Sequence, residues 1–260
     1  MNWLRQRVAG WVLEITAPML VLAIWGAWSA GSETFYFPPL TEIFSTFAET
    51  WVFERIGSDA VPSLLRLGLG YGLAVIGGIA LGLVLGLSRR ARLAAGPIVE
   101  FLRAIPPPAL LPFAILVLGV GNSMKVFIIA FVCVWPILLN AIDGVTGVDP
   151  TLQETVRVYG VSRRDRIWRV IVPAAAPQVS AGMRTSLSLA LILMVVSEMV
   201  ASTNGIGYFV LQSQRSFAIP EMWSGIFLLG ILGYTLNVAF VVVERWVLRW
   251  HRGARESALS

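Results

Sequence analysis

The feature that most constrains this chain is a series of long apolar stretches separated by short charged or turn-forming segments. An α-helix rises about 1.5 Å per residue, so about 20 apolar residues are needed to cross the hydrocarbon core of a bilayer. This length predicts transmembrane helices at residues 9 to 30, 64 to 88, 97 to 119, 124 to 144, 177 to 202 and 222 to 248. No linker divides them. The sequence therefore predicts an all-α integral membrane protein with six transmembrane helices in a single domain, residues 1 to 260.

The basic residues are distributed unevenly around these predicted spans. If the amino terminus is cytoplasmic, thirteen arginines lie in cytoplasmic segments, whereas only Arg55, Lys125 and Arg215 lie outside. The positive-inside rule then predicts that both termini and the segment 145 to 176 face the cytoplasm. The first apolar stretch resembles a signal peptide, but Trp28 stands at a position of the cleavage site that needs a small residue, so we expect the stretch to be retained.

The predicted outer segment, residues 31 to 63, carries apolar side chains at helical spacing. They are Leu40, Ile43, Phe44, Phe47 and Trp51. A 3.6-residue period of this kind predicts an amphipathic helix, which we expect to lie on the outer leaflet.

Prolines interrupt the third predicted span at Pro106, Pro107, Pro108 and Pro112. Each proline removes an amide donor and clashes with the preceding turn, so the span must bend or break. Irregular backbone at membrane depth is tolerated only where protein or a water-filled cavity covers it. We therefore predict that the first three of these prolines lie beside a translocation pathway. A kink that only tilts the helix is the alternative.

Two further spans depart from a plain apolar helix. In the second span, Gly78, Gly82 and Gly86 are four residues apart, which leaves one helix face bare and predicts close helix packing. The alternative is that glycines are simply frequent in membrane helices. In the fifth span, an ionised Glu198 in hydrocarbon would cost about 2.5–3.5 kcal/mol, so it should face a partner or water. Both pathway lining and placement at the outer interface satisfy this requirement, and we predict that Met194, Ser197 and Glu198 line the pathway.

The cytoplasmic segment 152 to 173 reads LQETVRVYGVSRRDRIWRVIVP and carries five of the chain's twenty basic residues. It predicts a short helix with Glu154, a left-handed turn at Gly160, and a second helix that is capped by Ser162 and ended by Pro173. Such a helix-turn-helix projection is charged on one face and apolar on the other. We interpret it as a surface that a partner protein binds.

The spacing of this segment resembles that of a known family. Glu154, Gly160 six positions later, and the ending Val170-Ile171-Val172-Pro173 are similar to the Glu-Ala-Ala loop of permease subunits in bacterial ATP-binding-cassette (ABC) importers. Thr155 and Val156 stand where the family has two alanines. The stretches SLLRLGLGYGLAVIGGIALGLVLGLS, FLRAIPPPALLPFAILVLGVG and SEMVASTNGIGYFV resemble the branch that imports nitrate, sulfonates, taurine, bicarbonate or the pyrimidine precursor of thiamine.

The resemblance implies a fold, a set of partners and a mechanism. It implies the type I (MetI-like) permease fold in a bacterial inner membrane, with two copies of the chain forming the pathway for a small solute, in our expectation an anion. It also implies two cytoplasmic ABC ATPase subunits, which carry ATP and Mg, and an external solute-binding protein. The residues implied in coupling to the ATPase are Glu154, Tyr159, Gly160, Arg163, Arg164 and Pro173.

The residue types present exclude several other functions. The only lysine, Lys125, stands between Met124 and Val126, so the chain has no Gly-x4-Gly-Lys-Ser/Thr phosphate loop. A lone histidine and a lone cysteine exclude a histidine metal cluster and an intrachain disulfide, and we expect no enzyme activity and no bound cofactor. The net charge is +5, but the basic residues stand between apolar runs, a pattern that does not indicate nucleic-acid binding. The alternative function is a proton-coupled secondary transporter that uses Glu198 and Asp143, which lie at opposite predicted ends.

Overall fold

The computed structural model describes residues 16, 19–29 and 34–249, and the regular elements in these ranges are helical. The α-helices, in chain order, are α1 (Met19–Ser29), α2 (Leu40–Phe47), α3 (Val61–Leu87), α4 (Arg89–Arg103), α5 (Pro107–Leu118), α6 (Asn122–Thr146), α7 (Pro150–Val158), α8 (Arg163–Arg166), α9 (Val172–Val200), α10 (Ile206–Arg215) and α11 (Ile219–Val247). The π-helical segments are Ala48–Glu54, Ile56–Ala60 and Ile167–Ile171.

Within these described ranges, four helical stretches are long and apolar enough to cross a membrane. They are Ile56–Leu87, Asn122–Thr146, Arg163–Val200 and Ile219–Val247. The bent pair of α4 and α5 would be a fifth span if its two helices are counted together. The predicted first span, residues 9 to 30, falls largely outside the described residues, and its described part, α1, is shorter than a full span. The prediction of an all-helical membrane protein is confirmed, whereas the count of six spans is not.

The second and fourth predicted spans, now α3 and α6, pack along a row of glycines. A Cβ atom added at Gly78 would lie 2.8 Å from Ile137 Cβ, and one added at Gly86 would lie 2.7 Å from Val145 Cβ. Gly70 approaches Ile129 and Gly82 approaches Ala141 in the same way. Every glycine in this row therefore meets the residue 59 positions further along the chain. This constant offset means that α3 and α6 run parallel and in register over the length of the row.

The centre of the bundle is α6, which packs against α3 on one side and α9 on the other. Cys133 in α6 is fully buried and its thiol donates to the carbonyl oxygen of Ser186 in α9 at 3.3 Å. The hydroxyl of Ser186 donates back to the carbonyl oxygen of Cys133 at 2.8 Å. Small residues at this crossing bring the two backbones close together, as is usual where membrane helices pack tightly.

Parallel packing of α3 and α6 requires the intervening chain to return from one end of the bundle to the other. The bent pair α4 and α5 makes this return, with an angle of 92° between the two helices. The bend confirms the predicted break at the prolines, because Pro107 and Pro108 begin α5 and Pro106 precedes it with extended backbone. Proline is well tolerated in the first turn of a helix, where its missing amide has no intrahelical partner. A simple tilt of one helix is therefore the wrong alternative.

The fifth predicted span begins earlier than expected, because Pro173 does not end a helix. The chain is helical without interruption over Arg163–Val200, and Pro173 lies in the first turn of α9. The wide π-helical turn before it, in which the amide of Val172 donates to the carbonyl of Ile167, accounts for this continuity. Such turns relieve the clash between a proline ring and the preceding helical turn. The prediction that Pro173 ends the second helix of the segment 152 to 173 is therefore wrong.

The outer segment contains the predicted helix, but part of its apolar face packs against protein. Ile43 and Trp51 are buried, and the indole NH of Trp51 donates to Ser224 Oγ in α11 at 3.2 Å. The Trp51 ring also meets the ring of Phe209 edge-on, with 4.8 Å between the ring centroids. Phe44 remains half exposed. The segment therefore covers one end of α10 and α11, and its position on the outer leaflet stays a prediction.

We predict that Gly82→Ala destabilises the protein by about 1–3 kcal/mol, because the new Cβ would meet Ala141 Cβ and would lie 3.0 Å from the carbonyl oxygen of Leu138. The measurement is reversible unfolding in mixed detergent micelles. The matched control is Gly68→Ala, since a Cβ at Gly68 meets nothing within 4 Å. Alanine favours a helix over glycine by about 1 kcal/mol, so the control should be neutral or stabilising. Equal effects of the two substitutions would contradict the packing seam.

Candidate functional site

At one end of the bundle, Glu198 near the end of α9 is completely buried and fully paired. Arg66 Nη1 in α3 lies 2.6 Å from Glu198 Oε1. The hydroxyl of Ser63, one turn earlier in α3, donates to the same carboxylate at 2.7 Å. The backbone amide of Gly207 donates to Glu198 Oε2 at 3.0 Å. The carboxylate therefore has a counter-charge and two neutral donors, which is what a buried charge needs in order to be tolerated.

Arg66 is bound equally completely. Its Nε donates to Asn122 Oδ1 in α6 at 2.7 Å, and its Nη2 donates to Asn204 Oδ1 at 2.5 Å. The planar guanidinium has several donors in fixed directions, which allows one arginine to bond to three segments at once. Arg66 thus links α3, the start of α6, the end of α9 and the turn that follows α9.

A second buried acid, Asp59, extends this cluster toward the outer segment. Its Oδ1 accepts the amide of Gly205 at 2.7 Å, and its Oδ2 lies 3.2 Å from Arg55 Nη1. Gly205 has φ +116°, a conformation that favours glycine. A Cβ at this position would also lie 2.5 Å from the Glu198 carboxylate. The turn after α9 therefore needs glycine both for its backbone conformation and for the space that Glu198 occupies.

The residues predicted to line a pathway occupy two different environments. Pro106 and Pro108 are exposed at the break between α4 and α5. Met194, Ser197 and Glu198 are fully buried inside the chain. Their assignment to a pathway stays a prediction and applies to a conformation in which α9 is less enclosed than here. Glu198 does face a partner in this structure, as one of the two sequence-based interpretations requires, and that partner is Arg66.

The acids of the alternative proton relay do not lie together. Asp143 is exposed near the last turn of α6. The Glu198 cluster lies at the other end of that helix, because Arg66 also donates to Asn122, the first residue of α6. The 21 positions between Asn122 and Asp143 correspond to about 31 Å along α6. Glu198 is also ion-paired with Arg66, and Asp143 is not part of this cluster.

At the opposite end of the bundle, the segment 152 to 173 forms the expected helix-turn-helix. Asp149 caps α7 by accepting the amide of Thr151 at 2.8 Å, and Gly160 turns the chain with φ +71°. Ser162 caps α8 by accepting the amide of Asp165 at 3.1 Å. A serine or aspartate oxygen at this position satisfies a backbone donor that the first helical turn leaves unpaired. We call α7, the turn and α8 the coupling projection, residues 150–166.

The coupling projection presents apolar side chains to solvent at its tip. Val158 is 85% exposed and Tyr159 is 81% exposed, although both flank the tight turn. The charged residues Glu154, Arg163 and Arg164 are exposed beside them. At its base, Ile171 is buried with Val145, Val148 and Ala175, which fixes the projection to α6 and α9. Large exposed apolar groups rimmed by charge are typical of a protein-binding surface.

Two buried basic residues are not singled out by the sequence. Arg66 and Lys125 are only 4% and 3% exposed, whereas the positive-inside rule predicts that Lys125 lies outside the membrane. A signal for Arg66 was present, because α3 begins at the predicted outer side and α9 ends there. An arginine and a glutamate at equal depth in neighbouring spans are expected to pair. No comparable signal indicates the burial of Lys125.

We predict that Glu198→Gln costs about 3–5 kcal/mol of stability, because it leaves Arg66 as a buried charge without a counter-charge. Arg66→Met should cost a similar amount, and the double variant should cost less than the sum of the two. The matched control is Glu100→Gln, which breaks the exposed ion pair with Arg103 and should cost about 1 kcal/mol or less. Additive losses in the double variant, measured by unfolding in mixed micelles, would contradict direct pairing.

Comparisons with known proteins agree on one family. The family described as "Binding-protein-dependent transport system inner membrane component" matches residues 75–253. The putative aliphatic sulfonates transport permease protein SsuC of Bacillus subtilis (strain 168) is 30% identical over 244 residues, which cover 93% of this chain and 88% of that protein. The taurine transport system permease protein TauC of Escherichia coli (strain K12) is 31% identical, covering 92% and 90%.

One further relative and one solved structure extend the comparison. The bicarbonate transport system permease protein CmpB of Synechococcus elongatus is 28% identical over 94% of this chain and 92% of that protein. The MetNI methionine ABC transporter, in an inward-facing crystal form, matches with a TM-score of 0.65 and 19% identity over 73% of this chain and 94% of that chain. The fold is thus the expected MetI-like one. The relatives are permease subunits, which are not the catalytic ATPase subunits. This chain belongs to the family of inner membrane components of binding-protein-dependent transport systems, the permease subunits of ABC importers.

Proposed function

We propose that this chain is the membrane subunit of an ATP-driven importer in which two copies form the solute pathway. Each copy binds one cytoplasmic ABC ATPase subunit through its coupling projection, and an external solute-binding protein delivers the cargo. The single observation that carries this proposal is the exposed apolar tip at Val158 and Tyr159 beside the exposed Glu154. A water-facing surface of this kind needs a protein partner.

The geometry supports a mechanical role for the coupling projection. Its second helix continues into the membrane as one helical stretch, Arg163–Val200, of 38 residues. At about 1.5 Å per residue this stretch is about 57 Å long. A force on Arg163 therefore reaches the Glu198 cluster through a continuous backbone. In this mechanism the ATPase pair closes on ATP, moves the two projections and changes the side from which the pathway is open.

The energy source lies in the partner subunits. This chain has no phosphate loop, and its only lysine, Lys125, is part of a membrane helix. ATP and Mg therefore bind to the ATPase subunits, and this chain holds no cofactor in our proposal. It spans the inner membrane with both termini in the cytoplasm, the orientation that its arginine distribution favours.

The cargo that we propose is a small anion or a small solute with an anionic group. The relatives described above are named for aliphatic sulfonates, taurine and bicarbonate, and each of these bears an anionic group. Nitrate belongs to the same chemical class.

We predict that Glu154→Ala, Tyr159→Ala and Gly160→Val each lower uptake and the binding-protein-stimulated ATPase rate by about tenfold while the complex still assembles. The first two remove exposed contact groups, and contacts of this kind contribute about 1–2 kcal/mol or more when they are hot spots. The third forces a β-branched residue into φ +71°, which costs about 1–2 kcal/mol and misplaces the tip.

The measurement uses proteoliposomes that contain this chain, its partner ATPase subunit and the solute-binding protein. Arg89→Gln is the matched control, because Arg89 is exposed at the start of α4 and lies outside the coupling projection. Wild-type rates in all three variants would contradict the proposed coupling.

We also predict where the pathway lies. In a Cys133→Ser background, cysteines at Pro106 and Pro108 should react with a water-soluble reagent at rest, since both positions are exposed. Cysteines at Met194 and Ser197 should react about tenfold faster during ATP turnover than at rest, because buried positions become reactive only when they open to water. Ile137→Cys, buried between α3 and α6, should stay protected throughout. Protection of all four pathway positions during turnover would reject this assignment.

A further inference from the structure

A cavity of about 280 Å³ lies beside the Glu198 cluster. It is bounded by α3, the start of α6 and the turn after α9. Its polar lining residues are Arg66, Asn122, Lys125, Ser202, Thr203 and Asn204. Every one of these side chains carries a hydrogen-bond donor, and the lining includes no acid.

The two basic residues of the cavity differ in how their charges are compensated. Arg66 is paired with Glu198 at 2.6 Å. The ammonium group of Lys125 makes no hydrogen bond and no ion pair with any residue in the described ranges, although Lys125 is only 3% exposed. Because Lys125 lines the cavity, its ammonium can donate hydrogen bonds there to water or to a solute of opposite charge.

The charged residues around the cavity have a net charge of +1. Asp59 cancels Arg55 at 3.2 Å and Glu198 cancels Arg66, so Lys125 alone contributes an uncompensated positive charge. The first residues of α6 add to it, because Gly121 provides no side-chain cap and the opening amides of a 25-residue helix carry partial positive charge. Thr203 contributes a hydroxyl that makes no hydrogen bond within the described part of the chain.

We propose that this cavity binds a small oxyanion with a single negative charge, such as a sulfonate, nitrate or bicarbonate, through the ammonium of Lys125 and the first turn of α6. One negative charge balances the cluster, whereas a cation is repelled. Burial of Lys125 favours a compact solute over the headgroup of a two-tailed lipid. The assignment of this anion as cargo rests on the proposed function, but the binding itself does not.

The test uses the full-length chain, purified in a non-ionic detergent and a chloride-free buffer, with methanesulfonate as the probe. Titration calorimetry and the thermal unfolding midpoint report binding, since a ligand that binds only the folded state raises the midpoint. We expect wild type to bind methanesulfonate and not choline. Lys125→Gln should weaken binding about tenfold or more, because a charged hydrogen bond is lost. Lys125→Arg should stay within about threefold of wild type, since it keeps the charge.

Two controls separate this site from general effects of charge and folding. Arg215→Gln removes a positive charge from an exposed residue of α10 and should leave binding unchanged. Without the anion, Lys125→Gln should unfold at the wild-type temperature or above it, because it removes a charge that no residue in the described ranges pairs. If Lys125→Gln does not fold, Thr203→Ala takes its place and should weaken binding without changing the fold. Unchanged affinity in the variant used would overturn the proposal, and so would no binding by wild type.

Lipid discs distinguish a soluble anion from a lipid phosphate. We expect methanesulfonate to bind equally well in discs of phosphatidylcholine and of phosphatidylglycerol. Loss of binding in phosphatidylglycerol would assign the cavity to a lipid headgroup and overturn the proposal. The outcome is also separable from the proposed function. ATP-driven uptake with unchanged binding in Lys125→Gln would overturn this inference alone, whereas binding without any ATP-driven uptake would contradict the proposed function alone.

Discussion

The buried ion pair between Arg66 and Glu198 organises one end of this molecule. Glu198 ends its helix inside the protein, and the chain must turn so that backbone amides and an arginine reach its carboxylate. That requirement explains Gly205, whose missing Cβ leaves room for the carboxylate. It also explains why α3, α6 and α9 meet at a common level, since Arg66 bonds to residues attached to all three. A buried pair of this kind contributes little net stability compared with apolar packing, but it is costly to break. It therefore defines one arrangement of the helices.

The two ends of the bundle are joined by helices that pack side by side. The glycine row holds α3 against α6 in constant register, and the contact between Cys133 and Ser186 holds α6 against α9. The coupling projection lies where α6 ends and α9 begins, and the ion pair lies at the other end of both. Close-packed helices shift as bodies and do not deform continuously. We therefore expect that displacement of the projection changes the relative positions of Arg66, Glu198 and Lys125.

Much of this architecture could be predicted because it follows from local chemistry. Apolar length gives the long spans, three successive prolines give the break before α5, and Gly160 with Ser162 gives the turn and cap of the coupling projection. The features that were missed depend on neighbours that are remote in sequence. Pro173 ends a helix by local rules, yet a π-helical turn accommodates it within a continuous helix. The outer segment has an amphipathic pattern, which does not tell whether lipid or α11 covers Ile43 and Trp51. Lys125 stands at the edge of an apolar run, and only the packed helices show that it is buried.

We propose that this chain forms the gated pathway while separate ATPase subunits drive it through the coupling projection. The most direct test is solute uptake into proteoliposomes that contain this chain alone or together with its partner ATPase and solute-binding protein. We expect accumulation only when all components and ATP are present, and none with the chain alone under an imposed proton or sodium gradient. Accumulation by the purified chain under such a gradient, without any ATPase, would contradict the account.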